Sequence, residues 1–235
     1  MFSEVFAQCF ANRRSKGNNL IVRSIDVNTV VFGGKAFKLG IFNLKNNYYS
    51  YSDPQFWRIR VGSSFRTRGG FLHKVKTIVP HQHFDRYYFT NDVAVLVVGK
   101  KFYFSDTIKQ ATIANKGTDL RPNSLCTLVG WGVTQVRVKN QLQLATLFTV
   151  DQIECSLRYK TIGSVIADSM ICAGQIDIDG IDGCFGDSGG PIFYKGVVAG
   201  LVSFGYTCGN RFYPGVYTKV SYYVDWIINA IRKNK

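Results

Sequence analysis

The sequence has little proline, with five residues in 235, and it lacks any apolar run near the ~20 residues that a membrane-spanning helix needs. Residues 1–10 include Glu4, and Arg13 and Arg14 follow before any apolar stretch of signal-peptide length, so no leader is predicted. Internal repeats and low-complexity tracts are also absent. The 46% hydrophobic content excludes disordered, collagen-like and coiled-coil classes and predicts one large or two small globular domains with no membrane segment.

Acidic residues are scarce, because 15 Asp and Glu stand against 29 Lys and Arg, which gives a net charge of +14. Such a balance raises nucleic-acid binding as a hypothesis. Residues 1–47 hold 7 basic and 2 acidic side chains, and residues 48–235 hold 22 and 13, so the excess is spread along the chain. No zinc-finger, phosphate-loop or RNA-binding signature accompanies it, so we predict a diffusely cationic surface and no nucleic-acid partner.

No two of the six cysteines form a C-x-x-C pair, so the sequence predicts no zinc or other metal site. The separations from Cys155 to Cys172 and from Cys184 to Cys208 would each let a disulfide close a short loop. By loop entropy each bridge would contribute about 3 kcal/mol. Disulfides persist in oxidising compartments, so an extracellular protein is predicted.

From residue 57 onward, short β-type runs alternate with Gly, Asn, Asp and Pro at turns. This pattern predicts an antiparallel all-β protein, either barrels or a sandwich. Val224, Ile227, Ile228 and Ile231 then recur at helical spacing before two basic residues, which predicts one C-terminal helix. The predicted strands are residues 57–61, 75–79, 93–98, 125–129, 142–150, 192–193, 197–204 and 216–220.

The first 47 residues differ from the rest, with seven asparagines and no clear rhythm of turns and strands. We therefore divide the chain into a segment over residues 1–47, disordered or wrongly joined, and a domain over residues 48–235.

The segment with the strongest chemical signature is residues 182–191, which read D-G-C-F-G-D-S-G-G-P. The glycines around Ser188 let the backbone approach a substrate closely, and they allow the N–H groups of Gly186 and Ser188 to point at one spot. Two converging amides are what an oxyanion hole requires.

These residues resemble the G-D-S-G-G-P motif that holds the nucleophile in the trypsin and chymotrypsin family of serine peptidases. The resemblance extends in family order from about residue 48 to residue 232, and residues 58–70 are most similar to insect digestive trypsins. It implies two six-stranded antiparallel β-barrels with a C-terminal helix, the N-terminal barrel being incomplete. The segments that carry it include residues 91–96 (N-D-V-A-V-L), 126–132 (C-T-L-V-G-W-G), 170–174, 203–205, 214–217 and 225–227.

Roles for three polar residues follow from this resemblance. Ser188 would attack the scissile carbonyl, while Asp92 would orient the catalytic imidazole and stabilise its charged form. Asp187 would pair with the amino terminus released on activation and so shape the oxyanion hole. No metal ion or organic cofactor is implied.

The resemblance also implies a specificity. Asp182, six positions before Ser188, corresponds to the floor of the primary pocket, where a carboxylate selects Lys or Arg. Ser203, Gly205 and Gly215 correspond to residues that line this pocket. The implied partners are polypeptides with Lys or Arg at the cleavage site and protein protease inhibitors, and a monomer is expected.

One essential group is missing from the pattern. The family's general base is a His in a T-A-A-H-C-like strand, and the equivalent position falls near Asn46, with its cysteine near Asn47. Asparagine cannot act as a base, and the histidines at 73, 81 and 83 lie elsewhere, the last two in a segment predicted to be surface. Losing the base costs about 10⁶ in turnover, so the chain is expected to be nearly inactive.

Two hypotheses explain this loss. In the first, residues 1–47 are wrongly joined to a genuine protease body. The leader, the base, its adjacent disulfide and the activation site, where Thr29 precedes V-V-F-G-G in place of the expected Arg or Lys, are all lost at one boundary. In the second, the chain is a non-catalytic homologue that uses the pocket around Asp182 to bind a partner. Cys9 and Cys126 have no predicted partners, since the expected mate position for Cys126 is Tyr194.

Overall fold

The computed structural model describes residues 53–132, 140–176, 183–184 and 186–234, together with two strands nearer the amino terminus. These residues form eleven strands and two α-helices, with short 3₁₀ helices at Pro54–Phe56 and Val220–Tyr222. The strands are β1 (Ser3–Phe6), β2 (Thr29–Gly33), β3 (Trp57–Val61), β4 (Phe71–Pro80), β5 (Val93–Val98), β6 (Leu125–Gly130), β7 (Gln143–Thr149), β8 (Met170–Gly174), β9 (Pro191–Tyr194), β10 (Val197–Phe204) and β11 (Gly215–Lys219), and the helices are α1 (Gln152–Lys160) and α2 (Val224–Lys233).

The last six strands close into a barrel with the order β10-β11-β8-β7-β6-β9, and every neighbouring pair is antiparallel. The prediction of an antiparallel all-β protein is confirmed, and the alternative of a sandwich is wrong for this half. Each of the six strands contributes one side chain to the core of the barrel: Leu128, Leu147, Ala173, Ile192, Val202 and Tyr217.

The other strands form a five-stranded sheet in the order β1-β3-β4-β5-β2, which is not closed into a barrel within the described residues. Strand β1 runs parallel to β3, and β2 runs antiparallel to β5. Both lie in the segment where no strand rhythm was predicted. The run Val30-Val31-Phe32 consists of β-branched and aromatic residues, which favour a strand once a partner is available.

Strand β5 is buried on both faces and joins the two halves of the molecule. Ala94, Leu96 and Val98 pack into the core of the first sheet, whereas the alternate residues pack against β10 and α2. A strand covered on both faces reads as a continuous apolar run, as V-A-V-L-V-V does. The residue before this run, Asp92, therefore lies at the junction between the halves.

The C-terminal helix was predicted, but α1 was not. Asp151 caps α1 by accepting the amides of Ile153 and Glu154 at 2.9 and 3.0 Å. Ile153 and Leu157 point to solvent, so the helix has no continuous apolar stripe that periodicity could detect. Helix α2 buries Val224, Ile227, Ala230 and Ile231 against the body of the protein.

Both expected disulfides, Cys155–Cys172 and Cys184–Cys208, are present. Cys126 is fully buried and has no disulfide within the described residues, and Cys9 lies outside them. Burial raises the pKa of the Cys126 thiol to about 11. Among the described residues, neither helix has the length and apolar character that crossing a membrane would require.

Candidate active site

Asp92 is a buried carboxylate held by groups from two strands of the barrel. Its Oδ2 accepts a hydrogen bond of 2.6 Å from the hydroxyl of Ser203, near the end of β10. Its main-chain oxygen accepts a 2.7 Å hydrogen bond from the hydroxyl of Thr218, on β11. These contacts fix both the backbone and one carboxylate oxygen, so the side chain has a defined direction at the junction of the two halves.

The residue before Asp92 is also constrained. Asn91 has a φ of 54°, in the left-handed region that Asn tolerates better than most residues. Its side chain donates to the carbonyl of His83 at 2.9 Å and accepts from the hydroxyl of Tyr223 at 3.1 Å. Asn91 thus turns the chain sharply into β5, and the carboxylate of Asp92 is buried at this turn.

The loop that carries Ser188 is fastened to β10 beside Ser203. The amide of Gly189 donates to the carbonyl of Val202 at 2.9 Å, and the amide of Val202 donates to the carbonyl of Gly190 at 2.9 Å. A Cβ at position 190 would lie 2.8 Å from the carbonyl oxygen of Asp187, so only glycine fits there. Ser188 itself is half-buried.

Ser188 and Asp92 are therefore linked through two consecutive residues of one strand. Val202 anchors the serine loop, and Ser203 holds the carboxylate. The two residues are 96 positions apart in sequence but belong to the same region of the molecule.

Two amides in the serine loop are oriented by glycine geometry. Gly186 has a φ of 100°, which side-chain-bearing residues rarely adopt, and it is exposed. Within the described residues, the N–H groups of Gly186 and Ser188 donate to no other group. Both N–H groups can therefore donate a hydrogen bond to a group that is not among the described residues.

The carboxylate of Asp187 is buried and accepts two main-chain amides. Its Oδ1 accepts the amide of Gly132 at 2.7 Å and its Oδ2 accepts the amide of Cys184 at 3.1 Å. Burial raises the pKa of this carboxyl, while the two amides oppose that rise. A Cβ at Gly130 or Gly132 would overlap the carboxylate, which explains why glycines flank Trp131.

Asp182, the predicted pocket residue, lies outside the described residues, but its neighbour Gly183 does not. A Cβ on Gly183 would lie 3.4 Å from Val202 and 3.5 Å from the hydroxyl of Tyr217, which are paired across β10 and β11. Gly205 directly follows β10, and Gly215 begins β11. Gly205 and Gly215, the predicted pocket glycines, therefore lie at the end of the β10–β11 pair, and Gly183 contacts the same pair of strands.

The Cys184–Cys208 disulfide ties the serine loop to the segment after β10. The bond joins the chain on one side of Gly183 to the chain beyond Gly205. Both sides of the predicted pocket are therefore connected covalently.

The three histidines contact other groups. The ring of His73 packs on Phe102, with centroids 4.6 Å apart. The ring of His81 lies 4.9 Å from that of Trp226 and 5.5 Å from that of Tyr223. His83 is exposed, which agrees with its surface prediction, whereas His81 is half-buried.

Three residues that contribute to the site were not predicted from sequence. Thr218, 126 residues from Asp92, carries no local signal, because its role depends on the pairing of β11 within the barrel. Phe89 and Phe204 stack with centroids 5.4 Å apart at the edge of the same region.

Within the described residues, no group of three or more His, Cys, Asp or Glu side chains is arranged to hold a metal ion.

This combination of a closed β-barrel, a glycine-bounded serine loop and a buried aspartate agrees with the comparisons to known proteins. The family model described as Trypsin matches residues 48–227. The chain is 38% identical to the trypsin of Phaedon cochleariae over 182 residues, covering 77% of the chain and 70% of that protein. It is 35% identical to alkaline trypsin C of Manduca sexta over 175 residues, covering 74% and 68%.

A third relative, the vitellin-degrading protease of Bombyx mori, is 36% identical over 176 residues, covering 74% of the chain and 66% of that protein. The chain therefore belongs to the trypsin family of serine proteases. The matched region begins at residue 48, so the first 47 residues lie outside it.

Proposed function

We propose that the domain is built as a serine endopeptidase that hydrolyses peptide bonds after Lys or Arg. The observation that carries the proposal is the meeting of the Ser188 loop and Asp92 at Val202 and Ser203 of β10. The Ser188 hydroxyl would bond to the scissile carbonyl carbon, and its proton would pass through a base to the departing amine. Water would then release the acyl group and regenerate the hydroxyl.

The amides of Gly186 and Ser188 are proposed to stabilise the negative oxygen that forms in this step. Their support is that both N–H groups are unused among the described residues and that Gly186 adopts a φ of 100°. Fixed amide donors act without reorganisation when charge develops, and losing one such donor typically costs 10²–10³ in turnover.

Asp187 is proposed to be linked to activation. It is a buried carboxylate with a raised pKa whose two hydrogen bonds come from neutral amides. A buried carboxylate gains most from a cation at close range. An amino terminus released by cleavage would supply that cation and would hold the loop before Ser188 in place.

Selection of Lys or Arg is assigned to Asp182, with Ser203, Gly205 and Gly215 lining the pocket. The support comes from its neighbour Gly183, which lies against Val202 and Tyr217 next to the ends of β10 and β11. A carboxylate in a pocket of this kind would reject apolar side chains because they would leave its charge unpaired.

We also propose that the 235-residue chain is nearly inactive because it lacks the general base. The position expected for that base is close to Asn46, and the described histidine rings lie against Phe102, Tyr223 and Trp226. Without the base, catalysis would fall to the roughly 10³–10⁴-fold over water that binding and the oxyanion hole supply.

The test is a chimera in which residues 1–47 are replaced by the matching segment of the Phaedon cochleariae trypsin. The chimera should hydrolyse an arginyl ester at least ~10³-fold faster than the original chain. Ser188→Ala should abolish this activity, and Asp182→Ser should reduce cleavage after Arg while the folded state is kept.

The control is Asp168→Ser, which removes a carboxylate from the loop before β8, outside the proposed pocket. It should leave the activity of the chimera unchanged. Rapid hydrolysis by the original chain would refute the claim that the base is missing. A folded chimera without activity would refute the proposed catalytic roles.

The missing base also supports a second candidate function, that of a non-catalytic homologue which binds basic residues of a protein partner. In that case the original chain would bind an arginine-containing peptide without cleaving it, and Asp182→Ser would weaken the binding. A transcript that encodes residues 1–47 continuous with residue 48 would favour this function. A transcript with a T-A-A-H-C-type exon before residue 48 would favour the protease.

The two disulfides support an extracellular location, because such bonds persist in oxidising compartments. We propose polypeptides with Lys or Arg and protein protease inhibitors as partners of a monomer. Family membership itself establishes only that polypeptides are the class of substrate.

A further inference from the structure

The first sheet carries a group of exposed lysines that the fold brings together. We call it the β4–β5 lysine cluster, and it consists of Lys74, Lys76, Lys100 and Lys101. The amide of Gly99 bonds to the carbonyl of Lys74 at 3.0 Å, and the ring of His73 contacts the carbonyl of Lys100 at 3.2 Å. These contacts put Lys100 and Lys101, just past the end of β5, beside Lys74 and Lys76 in the first six residues of β4, about 5–10 Å away.

The cluster has little counter-charge nearby. Residues 54–84 contain six basic and no acidic side chains, and residues 93–105 contain two basic and no acidic ones. Asp53, just before the first stretch, accepts hydrogen bonds from the backbone amide and the side chain of Gln55. Between these stretches, Asp92 is buried against Ser203, and Asp85 accepts the amides of Tyr87 and Tyr88. The diffuse distribution read from the sequence therefore becomes a local concentration of charge in the fold.

Other acidic groups do not neutralise the cluster. The ion pairs between described residues are Lys116–Asp225, Arg158–Glu154 and Lys219–Asp119, and none includes a cluster lysine. Arg58 is left out of the cluster because its guanidinium donates to the carbonyls of Gln55 and Trp57 at 2.8 and 2.7 Å. The residue after Asp106, Thr107, lies beside Gly62, which directly follows β3. This is the opposite end of β3 from Arg58.

Exposed apolar side chains adjoin the lysines. Leu72 is 49% exposed and lies two residues before Lys74 on the same face of β4. Phe71 is 66% exposed, and Tyr103, two residues after Lys101, is 84% exposed. A ligand that uses the whole surface would need anionic groups and apolar groups close together.

This mixture favours a polypeptide over other polyanions. A sulfated polysaccharide, or a nucleobase stacked on an exposed ring such as Tyr103, would leave the aliphatic side chain of Leu72 uncovered. All four cluster cations are lysines, which lack the planar fork that favours bidentate phosphate contacts. Carboxylates interspersed with apolar side chains would pair with the lysines and cover the leucine.

The cluster is remote from the candidate active site. Asp92 precedes β5 and Lys100 follows its last residue by two positions, so the two are separated by eight residues of mostly extended chain. At ~3.3 Å per residue, this distance is about 25 Å. A ligand on the cluster would leave the cleft open.

We propose that the β4–β5 lysine cluster, together with Leu72, is a docking surface for an acidic polypeptide segment that carries apolar side chains. The proposal goes beyond the proposed protease function and does not depend on catalysis. On an active relative of this chain, the same docking would hold an acidic substrate or partner while the cleft engages another segment.

The test measures binding of a labelled twelve-residue peptide in which Glu alternates with Leu and Phe, using the full chain and fluorescence anisotropy. The combined change Lys74→Gln and Lys100→Gln should weaken binding about fivefold, because each exposed ion pair contributes modestly. Leu72→Ser should weaken it about threefold. Raising the ionic strength should also weaken binding, since exposed charges are screened.

The matched control is the combined change Lys160→Gln and Lys195→Gln, which removes the same charge from exposed sites outside the cluster. It should leave the affinity unchanged within twofold. A second peptide, with Ser in place of Leu and Phe, should bind more weakly and should not respond to Leu72→Ser. A sulfated polysaccharide and a single-stranded oligonucleotide serve as competing probes.

The proposal is overturned if the cluster and control variants bind the peptide equally well, or if either competing probe binds the cluster more tightly than the peptide. Should the variants fail to fold, carbodiimide cross-linking of the peptide to the unmodified chain gives an independent answer. Cross-links concentrated at the cluster lysines support the proposal. Cross-links spread over all exposed lysines refute it.

Discussion

The hydroxyl of Ser203 donates a 2.6 Å hydrogen bond to Oδ2 of Asp92, across a separation of 111 residues. Both groups are almost fully buried, and they belong to different halves of the molecule. The bond therefore contributes to the docking of the halves as well as to the direction of the carboxylate.

Ser203→Ala should lower the free energy of unfolding by about 1.5–3 kcal/mol, because it removes a donor to a buried charged group. The matched control is Ser221→Ala, which removes a 2.7 Å hydrogen bond to the neutral carbonyl of Thr118 and should cost about 1 kcal/mol. Urea unfolding of both variants measures the difference. Equal losses would contradict a charged acceptor in the folded state.

Gly132→Ala should destabilise the protein by about 1–3 kcal/mol, because a Cβ there would overlap the carboxylate of Asp187. In the Asp187→Ala background the same change should cost much less, since the overlapping group is gone. Gly99→Ala is the control: its Cβ would meet nothing closer than the carbonyl of Lys74 at 3.9 Å, so the effect should be within about 0.5 kcal/mol. A cost at Gly132 that is independent of Asp187 would contradict this account.

The buried thiol of Cys126 should make stability fall as the pH rises between 9 and 11. In the folded protein its pKa is raised from 9.0 to about 11, so in this window the folded state retains a proton that the unfolded state has lost. The contribution falls by up to about 1.4 kcal/mol per pH unit. Cys126→Ala should flatten the curve of unfolding free energy against pH by this amount. Parallel curves for the two proteins would show that the thiol titrates normally.

His81 should make the protein less stable as the pH falls below 6.5. Burial against its neighbours, followed by the charge of His83, lowers the pKa of His81. Below pH 6.5 the unfolded state therefore binds a proton that the folded state does not bind, which lowers the free energy of unfolding. Above pH 6.5 this penalty is absent. NMR titration of the ring should give a pKa below that of a model peptide, and His83→Gln should raise it part of the way. An unchanged pKa in that variant would exclude the charge of His83 as a cause.

Much of the fold could be predicted because its strands follow simple patterns. The run of residues 93–98 and the turn-bounded strand of residues 197–204 were read with the observed bounds, since continuous apolar character marks strands buried on both faces. The disulfides were readable from spacing, and both form. The segment M-I-C-A-G of β8 was missed as a strand because it is short and only Ile171 is β-branched, whereas Ala and Gly have little strand preference.

Local signals also limited what could be predicted of helix α1. The cap at Asp151 was not predicted, and the exposed side chains of Ile153 and Leu157 hide the helical period. The site was predicted where motifs are contiguous, as around Ser188. The support from Thr218 was not predicted, since it depends on which strands become neighbours in the barrel. The role of Asp182 stays a prediction.

Strand β5 supplies one wall to each of the two hydrophobic cores. Neither half can open without exposing this strand, so both should melt together in a single cooperative transition. The amides of residues 93–98 should consequently be among the last to exchange with deuterium, and their exchange should report the global free energy of unfolding.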